Sequence, residues 1–533
     1  MKELNPDMNR RKFLLNALTV SATPAALRAF GTPLSGISKG NPFVGLSPER
    51  AVALEESNLS RTTTEIDSLL ANGPFQPKWD SLHNHQDAGW FRDAKFGIYS
   101  HWGPVTVGSS FSPGDAEWYG NQMYESEHPA FEYHKKTFGN QHTIGYKDII
   151  PRFTGERFDA YRWADVVARS GAKFAGPVAM HHDNFALWNS SLTRWNAVAM
   201  GPHRDIVGEL ARAYRARGLK FITSFHHGFA WRYYEPSFAY DGADPMNADL
   251  YTEVHAPKAP PSKHFQDRWL AEVYEVLTRY EPDLIYFDFE FFAVITPEYQ
   301  QRLFAAAYDW AEKNHLTICV TQKDRGIHQH TGILDFERGR EDAITPYPWL
   351  DDTAIGPWFY VAAEKLKTPE YIVGILSDIV AKNGCMLLDV GPKVDGTFPE
   401  ESEKILLELG DWLRVNGEAI YGTRPFTVYG EGPTHNEGGA GFSENKDKPY
   451  TGQDVRYTTK GDALYAIFLG RPERTVTLSS VNPLKLPSGR IHSINVLGSG
   501  EKVAWHSEGN GITLNIPPSA IERTHLCCAL KIS

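Results

Sequence analysis

Cysteine is scarce in this chain. Four of its 533 residues are cysteines. Cys319 and Cys385 lie in apolar runs, and the adjacent Cys527 and Cys528 would point to opposite sides of a strand. None has the spacing of a metal-ligand set, and together they imply no disulfide framework. These absences exclude disulfide-stapled scaffolds and cysteine-based zinc modules.

Positive charge is also in deficit. Lys and Arg number 54 against 65 Asp and Glu, a formal net charge of −11. This balance argues against a polyanion such as nucleic acid as the partner. The hydrophobic share of 41% and the charged share of 22% are those of an ordinary globular protein. A chain of 533 residues is too long for one core, so we expect two domains and a leader.

Long apolar runs are missing beyond the N-terminus. There, Asn9–Leu14 (NRRKFL) precedes an apolar stretch that ends near Leu27, with small alanines behind it. This pattern predicts an export signal over residues 1–30, and the Arg-Arg pair resembles a twin-arginine signal. Pro24 and the short length of the apolar stretch argue against a membrane span. The alternative to an export signal is a basic N-terminal tail. We therefore expect a periplasmic or secreted protein, with homo-oligomerisation left open.

Aromatic residues are plentiful, with 14 Trp, 24 Tyr and 29 Phe. Tryptophan rings suit stacking against the apolar faces of sugars. Filling a large core is the better explanation for most of the fourteen tryptophans.

The chain divides into segments of different periodicity. Residues 31–78 are predicted to be a linker or extension, with one short helix near 64–72. Residues 79–424 alternate strands and amphipathic helices, which predicts an α/β fold of the (β/α)8 TIM-like barrel type. The predicted strands are 96–100, 174–180, 219–224, 284–288, 318–321, 333–336 and 386–390. The predicted helices are 204–218, 265–280, 297–314, 369–383 and 400–416.

After Pro425 the helical pattern stops. Short alternating runs predict an antiparallel β-sandwich over residues 425–533. The Gly- and Asn-rich residues 430–451 form a long loop. Such a loop either drapes toward the barrel mouth or plays no part there, and the second is more common.

Four of the predicted strands end on residues suited to acid–base or sugar chemistry. The first runs into His101, the second into His181 and His182, the third into His226 and His227, and the fourth into Asp288. Carboxyl ends of parallel strands gather at one mouth of a barrel, where barrel enzymes hold their active sites. We therefore expect these side chains to converge.

Asp288 is the sharpest candidate because it ends the run Leu-Ile-Tyr-Phe-Asp, where a carboxylate is costly to bury. An ionised carboxylate in an aromatic mouth suits attack on an anomeric carbon. A retaining glycosidase also needs a second carboxyl group about 5–5.5 Å away. The candidates for that group are Glu290, Asp335, Glu337, Glu341, Asp351 and Asp352, of which Glu337 directly follows a predicted strand.

The His181-His182-Asp183 run is also a candidate metal site. Adjacent histidines on an extended segment point to opposite sides, and no third ligand has recognisable spacing. Hydrogen bonding to sugar hydroxyls is the preferred interpretation, because imidazole donates from one nitrogen and accepts at the other. For His226 and His227 a purely structural pair is nearly as plausible. We expect no metal and no cofactor.

The motifs resemble glycoside hydrolase family 29, the α-L-fucosidases. The resemblance opens on Trp90–Gly103 (WFRDAKFGIYSHWG) and covers the chain from about Trp79 to its end. Further matches follow in the family's order: Glu117-Trp118-Tyr119, Gly171–Phe174, His181–Trp188, Gly201–Val207, Leu387–Pro392 and Asn416–Tyr421. So many ordered matches make the resemblance specific.

The resemblance implies an exo-acting retaining α-L-fucosidase on a β/α barrel with a C-terminal β-sandwich. Asp288 takes the nucleophile's place, and Arg325 resembles an arginine that reaches the active site. Tyr286 stands where the family usually has Trp, and Asp389 where it usually has Asn. The positions that hold the sugar are matched by His101, Glu117, Trp118, His181 and His182.

The acid/base position varies within that family. One form places a Glu about a dozen residues after the arginine, which leads from Arg325 to Glu337, although the usual Thr is missing there. Glu337 is the first choice, Glu341 the second, and Glu290 a neighbour on the nucleophile's own strand.

The sequence therefore predicts hydrolysis of terminal α-L-fucosyl residues of a glycan, with Asp288 and Glu337 as catalytic residues. His101, Glu117, Trp118, His181, His182, His226, Tyr286 and Arg325 are the predicted substrate-binding residues. One alternative keeps the scaffold and changes the sugar to an L-galactoside or a modified fucoside. The others are a non-catalytic fucose-binding protein and a metal-dependent hydrolase.

Overall fold

Eight parallel strands form a closed barrel in the computed structural model. The structure describes residues 40–288, 291–323, 331–439, 441–486, 489–523 and 526–533, so the predicted export signal lies wholly outside the described residues. Each barrel strand pairs with the next, and the last pairs with the first. The strands are β1 (Phe96–Ser100), β2 (Phe174–Met180), β3 (Lys220–Phe225), β4 (Leu284–Phe287), β5 (Cys319–Lys323), β6 (Ile333–Glu337), β7 (Trp349–Ala354) and β8 (Gly384–Asp389).

Helices surround the barrel and build its loops. They are α1 (Pro48–Asn72), α2 (Trp79–Leu82), α3 (Gly89–Ala94), α4 (Val105–Ser109), α5 (Tyr119–Gln122), α6 (Pro129–Thr137), α7 (Tyr146–Ile149), α8 (Ala160–Arg169), α9 (Ile206–Ala216), α10 (Ala230–Tyr233), α11 (Ala248–Tyr251), α12 (Lys263–Tyr280), α13 (Phe291–Val294), α14 (Pro297–Asn314), α15 (Pro369–Ala381), α16 (Glu400–Asn416) and α17 (Pro518–Arg523). Several long helices begin at a side-chain cap, such as Asp159 before α8, Ser262 before α12 and Thr368 before α15.

The barrel is confirmed, but its alternation is incomplete. In the described residues no α-helix separates β6 from β7. Strand β7 was not among the predicted strands, because Asp351 and Asp352 interrupt its apolar pattern. Both aspartates are buried in the structure.

The linker prediction is wrong for residues 48–72, which form the 25-residue helix α1 rather than one short helix. This helix packs against α12 and α14. Ile66 and Leu70 are buried on its inner face, and Asn58 donates to the carbonyl of Ser191 at 2.7 Å. Ser47 and Pro48 mark its start, but the Ser- and Thr-rich composition concealed its amphipathic face.

Two antiparallel sheets form the C-terminal part, as predicted. Their strands are β9 (Arg424–Glu431), β10 (Val455–Lys460), β11 (Ala463–Phe468), β12 (Thr475–Leu478), β13 (Ile494–Val496), β14 (Ala504–Glu508), β15 (Gly511–Asn515) and β16 (Cys528–Ile532). The five-stranded sheet has the order β13-β16-β11-β10-β9, and the three-stranded sheet has the order β12-β15-β14. A separate apolar cluster that includes Tyr457, Leu478 and Leu514 lies in this region. The short helix α17 departs from the all-strand expectation.

Residues Phe43–Ser533 make up one compact unit. Among the described helices, none combines the length and the apolar character needed to cross a membrane.

Candidate active site

A cavity of about 310 Å³ opens where the barrel strands end. It gathers eight of the ten residues predicted as catalytic or substrate-binding. Its described lining consists of Tyr99, His101, Glu117, Trp118, His181, His182, His226, Asp288, Glu337, Asp352, Trp358, Gly441 and Phe442. The strand-end residues converge because the barrel strands are parallel. The residue that follows each strand therefore lies at the same end of the barrel.

Asp288 lies at the floor of this cavity, where His226 and Lys323 hold it and His182 lies close by. Its Oδ2 accepts a hydrogen bond from His226 Nδ1 at 2.8 Å, and Lys323 Nζ lies 3.1 Å from its Oδ1. His182 Nε2 is 3.6 Å from Oδ2. Burial by itself would raise the pKa of Asp288, but the hydrogen bond from His226 and the charge of Lys323 outweigh it and hold that pKa well below its usual range. The carboxylate is therefore ionised, as a nucleophile must be.

Lys323 is the residue that sequence reasoning missed. It ends β5, is completely buried, and touches four carboxylates. Its Nζ lies 3.1 Å from Asp352 and 3.5 Å from both Asp335 and Glu337, besides the contact with Asp288. Burial would lower the pKa of Lys323, but these carboxylates raise it well above its usual value, so the ammonium stays charged.

The two predicted catalytic carboxylates therefore share one ammonium. Asp288 Oδ1 is 3.1 Å and Glu337 Oε2 is 3.5 Å from Lys323 Nζ. The two oxygens are separated by no more than the sum of these distances. That upper bound reaches only the lower edge of the roughly 6.5–9.5 Å separation typical of inverting glycosidases. The two carboxyl groups are therefore close enough to act on the same glycosidic bond.

Hydrogen bonds orient the histidines of the cavity. Asp389 Oδ1 accepts from both the backbone N–H of His101 at 3.0 Å and its Nδ1 at 2.8 Å. The carbonyl of His226 accepts from His182 Nδ1 at 2.7 Å, which leaves His182 Nε2 as an acceptor. Burial is the main cause that lowers the pKa of His181 well below its usual range and that of His182 to about 3. These two rings are neutral and suited to hydrogen-bonding hydroxyl groups.

The same rings form the densest groups of metal-ligating atoms in the described residues. One ligand atom from each of His101, His181 and His226 lies within 4.8 Å of the others, and His182, His226 and Asp288 form a second such group. His226 is already engaged at both nitrogens, by Asp288 at one and by Ser224 Oγ at 2.7 Å at the other. Ligation by His226 would break one of these bonds, so the arrangement suits sugar hydroxyls better than a metal ion.

Some predicted residues lie elsewhere. Tyr286 is fully buried beneath the cavity, where its hydroxyl contacts Lys323 at 2.6 Å and donates to Asp335 at 3.1 Å. It positions the lysine instead of lining the cavity. His227 faces away from the mouth, with Nε2 3.4 Å from Glu272 on α12. Arg325 and Glu290 lie outside the described residues.

The remaining carboxyl candidates are accounted for by other contacts. Glu341 accepts a hydrogen bond from the hydroxyl of Tyr347 at 3.0 Å and does not line the cavity. Asp351 accepts from the N–H of Gly339 at 3.0 Å. Burial, followed by repulsion from Asp352, raises the pKa of Asp335 well above its usual range, so Asp335 is protonated. Asp352 also lines the cavity, but it already accepts hydrogen bonds from the hydroxyl of Tyr99 at 3.0 Å and from Lys323 at 3.1 Å. Glu337 stays the first choice as the partner for Asp288.

Cavity size alone would not have selected this site. A cavity of about 710 Å³ lies between α16 and the C-terminal sheets, lined among others by Trp412, Val415 and Cys527. No cluster of histidines and carboxylates converges in its described lining. Chemistry, not volume, identifies the barrel mouth.

Comparisons with known proteins agree with this architecture. The family model for α-L-fucosidase matches residues 62–418, and the model for the α-L-fucosidase C-terminal domain matches residues 447–533. The chain is therefore a glycoside hydrolase, built as a barrel with an appended sandwich. It belongs to the α-L-fucosidase family.

Individual relatives support the same assignment. The chain is 30% identical over 461 residues to the plasma α-L-fucosidase of Pongo abelii, covering 84% of this chain and 90% of that protein. It is 29% identical to a Thermotoga maritima α-fucosidase solved in complex with fucose, with a TM-score of 0.68 over 86% of this chain and 100% of that one. A Thermotoga maritima α-L-fucosynthase in complex with α-L-Fuc-(1-2)-β-L-Fuc-N3 is also 29% identical, with a TM-score of 0.69 over 87% and 100% of the two chains.

Proposed function

We propose that this protein is an exo-acting retaining α-L-fucosidase that releases terminal α-L-fucosyl residues from glycans through a covalent glycosyl–enzyme intermediate. The observation that carries the proposal is the placement of Asp288 and Glu337 within 3.5 Å of Lys323 Nζ in a cavity lined by histidines. The fucose and difucosyl ligands named for the Thermotoga maritima relatives support the choice of sugar.

The first step is attack by Asp288 on the anomeric carbon. The ionised carboxylate forms a bond from one oxygen to that carbon while the bond to the leaving oxygen breaks. Glu337 donates its proton to the leaving oxygen, so the departing sugar leaves as a neutral alcohol. His226 and Lys323 hold the Asp288 carboxylate in place during attack.

The second step returns the enzyme to its starting state. Glu337, now ionised, takes a proton from a water molecule, and the resulting hydroxide attacks the anomeric carbon. The bond to Asp288 breaks, and fucose departs. Two inversions at the same carbon leave the anomeric configuration unchanged.

Exo action is supported by the size of the cavity. A volume of about 310 Å³ is at the small end for ligand sites and suits one monosaccharide. Trp118 and the histidine rings enclose that space, and Trp118 is backed by Phe229 at 5.5 Å between ring centroids. The terminal sugar enters, and the remainder of the glycan stays at the rim.

Following the anomeric proton by NMR tests sugar, reaction and stereochemistry together. An aryl α-L-fucoside should first yield the α-anomer of free fucose, followed by slow mutarotation. The Asp288→Ala variant should lose several orders of magnitude in turnover while remaining folded. First appearance of the β-anomer would rule out retention. Release from an aryl α-L-galactoside in preference to the fucoside would move the assignment to another sugar.

A further inference from the structure

Phe442 is the one large exposed apolar side chain, among those described, that also lines the catalytic cavity. It is 41% exposed and lies on the rim loop, defined as the described residues 432–439 and 441–454 between β9 and β10. The rim loop leaves the C-terminal sheet, reaches the barrel mouth and returns. Of the two interpretations of this loop, the less common one is observed: the loop extends to the barrel mouth.

The rim loop is fastened to the strand that carries Glu337. The N–H of Phe442 donates to the carbonyl of Glu337 at 3.0 Å, and the N–H of Glu444 donates to the carbonyl of Arg338 at 2.9 Å. Arg340 and Gly439 exchange two backbone hydrogen bonds. The side chain of Glu444 also accepts from Thr353 Oγ1 at 2.7 Å and pairs with Lys367. These contacts hold the loop in one position against β6 and β7.

Phe442 adopts a backbone conformation that a phenylalanine seldom takes. Its φ is +62°, in the left-handed region that glycine and asparagine favour. Such a conformation is costly and persists where the surrounding structure imposes it, often at ligand sites. A strained backbone therefore holds this partly exposed apolar ring at the edge of the cavity.

A cation–π stack ties Phe442 to the cavity wall. The guanidinium carbon of Arg338 lies 5.7 Å from the centroid of Phe442 and 4.6 Å from that of Trp358. Trp358 in turn lies 5.3 Å from the ring of His101. Arg338 thus links the rim loop to the sugar-binding floor, and Arg338 itself is held by the carbonyl of Gly356 at 3.0 Å.

Phe442 lies on the side of the site where the leaving group would bind. Glu337 must lie beside the oxygen that leaves, and Phe442 is bonded to the backbone of Glu337 itself. The part of the substrate beyond that oxygen therefore lies near Phe442. The carbon–hydrogen face of a pyranose is the apolar surface that a flat aromatic ring would cover.

We propose that Phe442 is the binding platform for the sugar that carries the fucosyl group, so that the rim loop selects fucosylated oligosaccharides over fucosides with small leaving groups. This inference rests on the proposed function. It adds a residue from the C-terminal region to the substrate site and assigns a pyranose ring as its ligand.

The experiment compares Phe442→Asn with the unmodified protein on two substrates. Asparagine tolerates the positive φ, so the loop conformation is preserved while the ring is lost. The first substrate is α-L-fucosyl fluoride, whose leaving group is one atom. The second is a disaccharide with α-L-fucose on a hexopyranose. We expect kcat/KM to fall about tenfold on the disaccharide and by less than twofold on the fluoride.

Two controls complete the design. Phe442→Trp should retain disaccharide hydrolysis, and Phe111→Asn, which removes a 72% exposed phenylalanine outside the cavity lining, should change neither rate. Inhibition by free fucose should be the same in every variant. If Phe442→Asn lowered kcat/KM equally on both substrates, or did not lower it on the disaccharide, the proposed role of Phe442 would be overturned. Failure of the unmodified protein to hydrolyse fucosyl fluoride would instead overturn the proposed function.

Discussion

At the residue scale, the centre of the site is Lys323, which no sequence motif indicated. The ammonium group of Lys323 lies within 3.5 Å of four carboxyl groups and so places a positive charge among them. These groups belong to Asp288, Asp335, Glu337 and Asp352. Unscreened anions at this spacing would raise one another's pKa values and protonate the nucleophile. The ammonium keeps Asp288 ionised while Asp335 holds a proton.

Replacing Lys323 by Met should shift the acid limb of the pH–rate profile. In the unmodified protein the pKa of Asp288 is held well below its usual range, so the nucleophile stays charged in moderate acid. Without the ammonium, burial raises that pKa, and activity should be lost at a higher pH on acidification. We also expect kcat at the optimum to fall about 100-fold.

The matched control for this variant is Lys95→Met. Lys95 is also buried but lies just before β1, at the opposite end of the barrel. Its variant should keep the acid limb in place, whatever its effect on stability. An unchanged acid limb in Lys323→Met would show that the histidines alone keep Asp288 ionised.

Glu337→Ala should be slow on substrates with poor leaving groups, and added azide should restore hydrolysis of an activated aryl fucoside. A small anion replaces water without needing a general base. The comparison is Glu341→Ala, since Glu341 follows in sequence but bonds to Tyr347. That variant should keep nearly full activity without azide. Azide rescue seen with Glu341→Ala and absent with Glu337→Ala would exchange their roles.

At the element scale, helix α1 is an integral part of the barrel wall. Glu55 on this helix accepts the N–H of Arg194 at 2.6 Å, and Ile66 has no exposed surface. Ile66→Ala should lower the free energy of unfolding by about 2–4 kcal/mol, because it leaves a cavity against α12 and α14. Chemical denaturation measures the change. Glu65→Ala, on the exposed face, is the control and should be neutral; equal midpoints for the two variants would mean that α1 is dispensable.

Strand β7 was not predicted from the sequence because it carries buried polar residues of the site. Its residues Asp351 and Asp352 face buried polar partners, Gly339 N–H for the first and Tyr99 and Lys323 for the second. A strand that delivers carboxylates to a barrel interior loses the apolar alternation by which strands are recognised. The same argument covers Lys323, which follows Thr321 and Gln322 at the end of β5.

At the scale of the whole molecule, Asp378 joins the C-terminal sheet to the barrel. It lies on α15 and is buried among three cations. Lys382 Nζ is 2.9 Å away, Arg456 Nε of β10 is 2.5 Å away, and Arg340 Nη1 is 3.7 Å away. Burial would raise the pKa of Asp378, but Lys382, Arg456 and Arg340 outweigh it and lower that pKa far below its usual range.

Asp378→Asn should lower the free energy of unfolding by about 3–5 kcal/mol at pH 7, because the buried Lys382 and Arg456 lose their anion, while Arg340 keeps Asp447. A depressed folded pKa contributes stability above the unfolded value of about 3.9, and that contribution disappears as the pH falls toward the folded value. The difference between the two proteins should therefore shrink below about pH 4. Denaturant titrations at several pH values measure it, with Asp411→Asn, an exposed pair with Arg414, as the control. A difference independent of pH would contradict the linkage.

The order of strands and helices, the barrel, the sandwich and most of the mouth residues were readable from the chain. Local periodicity and strand-end positions encode them, and parallel pairing turns sequence order into spatial convergence. His101, His181, His226 and Asp288 meet for that reason.

Partners from distant segments were not readable. Lys323 meets Glu337 only because β5 and β6 are neighbours in the barrel, and Phe442 reaches β6 from the loop between β9 and β10. Pairing of buried charges and the path of a long loop depend on which surfaces the rest of the fold leaves available. Tertiary packing decided both, since no local signal in either segment specifies its partner.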